Sequence, residues 1–338
     1  MLRALDELTL SERPTLEAFR PPPRFDAARF ATYRPQHPTQ QEALERARAF
    51  ARGAAEPLHT RPRWPWQSPR PRPGQGLYLD GGFGVGKTHL LASAYHAYQD
   101  DNRAYLSFQE LVYVIGALGK VEAQRTFADY ALICIDEFEL DDPGNTLIVK
   151  SFLAFAFGRG SFVVTTSNTP PDAQGQGRFN ANDFRREIQN IAERFTTLRM
   201  EGRDYRQRER LARPYSEAEL DALLRTESSD GGKVVTTLSG LIEFLQQLHP
   251  IRYRDVLRQI GTLYVREAHP IAEQNNALRF VHFIDKLYDL GVGLRLSGGL
   301  ELPELFHPSY AHGAYAKKHD RCVSRLSELI EAPAAVAA

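Results

Sequence analysis

Eight consecutive residues, Gly81-Gly82-Phe83-Gly84-Val85-Gly86-Lys87-Thr88, constrain this chain more than anything else in it. Their spacing is that of a phosphate-binding loop: two glycines five apart, then lysine and a hydroxyl residue. Glycines admit positive φ and let successive N–H groups turn onto an anion. A helix starting at Lys87 aims the positive end of its dipole at the same anion. Lys87 supplies a mobile charge for the β and γ oxygens of a nucleotide, and the Thr88 hydroxyl a ligand for Mg²⁺. With 24 glycines and seven lysines among 338 residues, about 0.003 such matches are expected by chance. The candidate ATP-binding set is therefore Gly81 to Thr88, with His89 beside it.

Such a loop needs a strand before it and a helix after it, and the flanking pattern supplies both. Leu77-Tyr78-Leu79 reads as a strand and Lys87 to about Gln99 as a helix. Further strands follow at Ala104–Phe108, Ala131–Ile135 and Phe162–Thr166, with a helix across Asn145–Phe157. Their unbroken apolar runs predict parallel strands covered on both faces, a three-layer α/β fold. Earlier, Thr39 to Arg52 reads as a helix, and residues 54–75, rich in proline and arginine with Trp64 and Trp66, as a loop over the surface. Later come helices near 238–248, 252–259, 274–290 and 315–330, and strands at 262–266 and 293–296. The expected organisation is an N-terminal extension with its Pro/Arg-rich loop at 1–75 and a P-loop core at 76–202. A linker with a small helical segment follows at 203–260, then C-terminal strands and helices completing the ATPase fold at 261–331, and a disordered tail at 332–338.

Leu132-Ile133-Cys134-Ile135 ends in Asp136-Glu137. An acid at the carboxyl end of a buried strand reaches the crevice where open α/β sheets bind ligands. Asp136 is expected to hold the Mg²⁺ shell and Glu137 to accept the proton of the attacking water. At the end of the next strand, Asn168 is the candidate to touch the γ-phosphate or orient that water. Its bland alternative is a turn before Thr169-Pro170-Pro171. A guanidinium from a neighbouring subunit is a common further requirement. Arg194, just before the strand-like Thr196–Met200, is the first candidate, with Arg178, Arg185 and Arg186 as rivals. Arg321 and Arg325, four apart on one helix face, are candidates to reach the nucleotide within the chain.

Lys plus Arg and Asp plus Glu both number 42, so no global field favours nucleic acid or an anionic membrane. Two cysteines, Cys134 and Cys322, are too few for a disulfide framework. No secretory signal and no run of about 18 apolar residues occurs. A cytoplasmic protein is expected.

Several stretches together resemble the AFG1-like ATPases: 81–91, Asp136-Glu137-Phe138-Glu139-Leu140-Asp141-Asp142, and Thr166 to Asp172. Gly202-Arg203-Asp204-Tyr205-Arg206, Phe280–Asp289 and Asp320–Leu326 add to the likeness, which covers roughly residues 25–330. The resemblance implies an AAA+-like core with a C-terminal α/β extension and nucleotide held between subunits of a homo-oligomer. It also implies remodelling of protein partners: division-ring components at the inner face of the membrane in bacteria, respiratory subunits in mitochondria. Two readings compete with it: a DNA-associated AAA+ ATPase of the helicase-loader type, and a nucleotide-dependent scaffold with little turnover.

Overall fold

The computed structural model describes residues 2–8, 19–55, 59–60, 70–140, 143–174, 185–202, 211–227, 232–312 and 316–331. These fall into two compact units, one of residues 19–21 and 25–202, the other of 2–8, 22–24 and 211–331. Trp64, Trp66, Arg178, the 203–206 part of the family motif and the 332–338 tail lie outside the described residues.

A two-residue strand, β1 (Leu2–Arg3), belongs to the second unit, and α1 (Pro38–Ala54) opens the first. Pro38 sits in the first turn of α1, where its missing N–H costs nothing, and the His37 side chain accepts from Thr39 N. A short antiparallel ribbon follows, β2 (His59–Thr60) with β3 (Arg70–Pro71). Then come β4 (Gln75–Gly81), β5 (Arg103–Ser107), β6 (Leu132–Asp136), β7 (Phe162–Ser167) and β8 (Phe195–Met200). The helices between them are α2 (Lys87–Ala97), α3 (Phe108–Thr126), α4 (Pro143–Gly158) and α5 (Arg185–Ala192).

The five strands form one parallel sheet in the order β5-β6-β7-β4-β8. Alternation along each strand explains why the apolar runs are unbroken. Leu77, Leu79, Leu132, Cys134 and Val164 join a core with α1 and α2. Tyr78, Ile133, Ile135 and Val163 join the opposite core with α3, α4 and α5. This is the expected three-layer α/β P-loop fold. Helix α3 is an addition to the expected elements, and its start is set by a capping box: Ser107 accepts from Glu110 N, and Glu110 from Ser107 N.

The second unit differs from expectation. It contains α6 (Glu217–Thr226), β9 (Lys233–Thr237), α7 (Leu238–Gln247), α8 (Tyr253–Leu257), β10 (Thr262–Arg266), α9 (Gln274–Leu290), β11 (Gly293–Leu296) and α10 (Ala316–Glu331). Residues 261–331 do not complete the first sheet. Strands β10 and β11 build a parallel sheet of their own, β1-β9-β10-β11, with β9 drawn from the stretch read as a linker. The reason is a separate core: Val234, Leu263, Val265, Leu294 and Leu296 bury against apolar residues of α7, α8, α9 and α10. Among the described residues no helix is long and apolar enough to cross a membrane.

Candidate nucleotide site

Parallel strands end on the same edge, so the loops after β4, β6 and β7 converge there. Because β7 lies between β4 and β6, the loop bearing Asn168 stands between the phosphate loop and the acidic pair. The Lys87 ammonium donates to the Asn168 side-chain oxygen at 2.8 Å and to the carbonyl of Gly81 at 2.9 Å. Lys87 is buried, and its charge is held at the centre of the group.

The loop backbone takes the left-handed turns its glycines permit, with φ of 68° at Gly84 and 88° at Gly86. At Gly86 a Cβ would meet the Tyr33 ring at 2.4 Å. Tyr33 lies against the loop and donates from its hydroxyl to Val85 O at 2.8 Å. His89, on the first turn of α2, contacts Thr32 Oγ1 and Arg29 O, each at 3.1 Å. The segment before α1 thus braces the phosphate loop, and His89 is engaged by that brace.

Asp136 receives hydrogen bonds from Thr88 Oγ1 at 3.2 Å, Tyr105 Oη at 2.8 Å and the Thr166 hydroxyl. Burial pushes its carboxyl above the ordinary range and the charge of Glu137 adds to the push, while those three hydroxyls pull the other way. Glu137 takes a left-handed backbone, φ 53°, a conformation costly for a residue with a Cβ. Its N–H donates to Asp136 Oδ1 and to Thr166 Oγ1, both at 3.1 Å, and the next N–H, of Phe138, to Thr166 O at 2.7 Å. The Thr88 hydroxyl and the Asp136 carboxylate are hard oxygen donors side by side, a pair that fits Mg²⁺. Among the described residues no cluster of three or more His, Cys, Asp or Glu could hold a metal alone. A cation here would complete its shell with phosphate and water oxygens.

Lys87, Thr88, Asp136, Glu137 and Asn168 are thus brought together. Tyr105 and Tyr33 join them unmarked by any local motif, through strand register and packing; Thr166, in the motif stretch Thr166–Asp172, joins as the partner of Asp136 and Glu137. Arg194 stands elsewhere. It precedes Phe195, which pairs with Gly76, whereas Gly81 pairs with Met200. Five strand residues, about 17 Å, separate it from the loop. It is exposed, its guanidinium 5.7 Å from the Phe157 ring. Arg185 and Arg186, at the start of α5, are also exposed. Arg321 and Arg325 are buried on α10 in the second unit, where both pair with Asp285 of α9.

The sequence model of one family, described as AFG1-like ATPase, matches residues 9–239 and 222–334. The chain belongs to the AFG1-like ATPase family. It is accordingly an ATP hydrolase of the P-loop class. Its relatives include the cell division protein ZapE of Escherichia coli K12, 24% identical over 300 residues, covering 76% of this chain and 78% of that protein. Another is lactation elevated protein 1 homolog B of Danio rerio, 28% identical over 127 residues, 31% of this chain and 25% of that one. Among solved structures, the DnaC helicase loader matches with a TM-score of 0.38 and 19% identity over 53% of this chain and 99% of that chain. AMPPCP-bound DnaA from Aquifex aeolicus matches at 0.40 and 14% identity over 70% and 71%.

Proposed function

We propose that this AFG1-like ATPase hydrolyses Mg-ATP at the edge between neighbouring copies of itself and couples the reaction to remodelling of a protein partner. The observation that carries the reading is the gathering of Lys87, Thr88, Asp136, Glu137 and Asn168 on one sheet edge while Arg194 stands at the opposite edge. Thr88 and Asp136 would hold Mg²⁺, which when bound neutralises charge on the β and γ oxygens. Lys87 exchanges a present acceptor for a γ oxygen. The Asn168 amide orients a water against the γ-phosphorus, and the Glu137 carboxylate takes that water's proton. Arg194, too far from its own loop, serves the nucleotide of the next copy.

A protein partner is favoured over nucleic acid because the chain has zero formal net charge. The name of its relative, the cell division protein ZapE, points towards cell division; the proposed place of action is the cytoplasm, with any membrane association arising through the partners. The test is Glu137→Gln, which keeps size and polarity but cannot accept a proton. ATP binding should persist while turnover falls by about 10² to 10⁴. Turnover at the wild-type level would remove Glu137 as base. The trapped variant, used as bait in lysate of its host, would identify the partner, and stimulation by DNA rather than by protein would favour the helicase-loader reading.

A further inference from the structure

Gln174 is almost wholly buried, 2% exposed, and lies outside every motif of the phosphate site. Its carboxamide is surrounded by backbone from two loops. The side-chain oxygen accepts from Leu140 N at 2.9 Å. The nitrogen stands 3.1 Å from Phe138 O, 3.2 Å from Thr169 O, 3.0 Å from Ser167 Oγ and 2.7 Å from Tyr78 Oη. Tyr78 in turn donates to Thr169 O at 2.8 Å. Phe138 and Leu140 follow Glu137, whereas Ser167 and Thr169 flank Asn168.

We propose that Gln174 is a positioning residue for hydrolysis: its amide fastens the loop carrying the base Glu137 to the loop carrying the water-orienting Asn168. The inference rests on the roles just proposed for those two residues. Glu137 needs such fastening because its left-handed backbone persists only where its neighbours impose it. Thr166 imposes it at the strand end, through Glu137 N and Phe138 N; Gln174 imposes it from beneath, through Phe138 O and Leu140 N. Only a carboxamide offers an acceptor and two donors in one plane. A carboxylate would set charge against the Phe138 and Thr169 carbonyls, and an apolar side chain would leave Leu140 N without this acceptor. A misplacement of about 1 Å between base and water is enough to cost on the order of 100-fold in rate.

The experiment compares Gln174→Met, Tyr78→Phe and Glu137→Gln in full-length protein, measuring kcat, ATP affinity and thermal midpoint. Gln174→Met should lower kcat by about 10-fold or more with ATP affinity within about twofold of wild type, because Lys87 and Thr88 make none of these contacts. Combined with Glu137→Gln it should add little further loss, since both act through one base. Tyr78→Phe removes a single hydroxyl of the network and should lower kcat several-fold at constant affinity. It decides the matter if Gln174→Met does not fold. A folded Gln174→Met with normal kcat, or kcat and affinity falling together in either variant, would overturn the inference. Loss of turnover in Glu137→Gln with normal kcat in Gln174→Met sinks the positioning role alone. Full turnover in Glu137→Gln sinks the base assignment and the positioning role with it.

Discussion

Lys87 concentrates the chemistry of the site at one nitrogen, and its surroundings make it hard to replace. The nearest lysine in sequence is Lys120, and the ammonium is enclosed by the Gly81 and Gly82 carbonyls and Asn168. Lys87→Ala should reduce ATP affinity by on the order of 100-fold, the loss of a buried charge-assisted contact of about 3 kcal/mol. Isothermal calorimetry showing unchanged binding would exclude Lys87 as a phosphate ligand. Residues of this kind are legible because their chemistry is written in adjacent positions: the loop, and the acids at a strand end. Tyr105 and Gln174 are not, since their partners lie 31 and 34 positions away and only register and burial bring them near. Arg321 and Arg325 show the opposite limit. Their helical spacing was read correctly, but the acid that holds them, Asp285, lies on a different helix.

At the scale of elements, the ends matter more than the middles. Arg72, in the proline-rich stretch read as a surface loop, is buried, and its guanidinium donates to the carbonyls of Gly53 and Ala54 at the end of α1 and of Gly160 after α4. It also lies 4.4 Å from the Phe162 ring. One side chain therefore caps a helix, neutralises the negative end of its dipole and ties it to the sheet. Arg72→Met should cost about 3 kcal/mol, read as a lower urea midpoint at an unchanged slope; a shift below a third of that would reduce the residue to a surface contact. In α10, His319 is buried with its ring 4.8 Å from Phe306 and 5.2 Å from Tyr310. Burial lowers its pKa below the ordinary 6.5. Below about pH 6.5 the unfolded chain binds a proton that the folded one resists, so stability contributed by the neutral ring is lost as pH falls through that window. His319→Gln should flatten the decline by up to about 1.4 kcal/mol per pH unit. Parallel pH profiles for the two proteins would remove His319 as its source. Helix α3 is hard to see in the sequence although Ser107 and Glu110 stand at capping-box spacing, because Gly116 and Gly119 interrupt the pattern; φ at Gly119 is 75°. Strand β9 is equally hidden, because five residues of modest hydrophobicity look like linker until β10 supplies their partner.

At the scale of the whole molecule, the described residues hold two parallel sheets that share no core, and the apparatus around the phosphate loop lies with the first. The five-stranded sheet of the first unit is polar in the directional sense: each of its strands runs from the edge bearing Arg194 to the edge bearing the phosphate loop. With its backbone about 17 Å along the strand from its own loop, Arg194 is badly placed to neutralise charge developing on a phosphate there. Two copies stacked so that the amino edge of one meets the carboxyl edge of the next would bring it into reach. The arrangement is heterologous, and repeated it gives a ring or a filament. Activity per subunit should then rise with protein concentration, since a trans arginine contributes about 10³ or more in rate. Arg194→Ala should bind ATP normally and hydrolyse it poorly. Mixing decides between a trans role and a structural one. Arg194→Ala and Glu137→Gln should each turn over poorly alone, but in a mixed assembly some interfaces join an intact Glu137 to an intact Arg194. Partial recovery of activity, scaling with the fraction of such interfaces, is the expected result. If mixtures shown to co-assemble recover nothing, Arg194 does not act across the interface, and exposed Arg185 and Arg186 become the next residues to substitute.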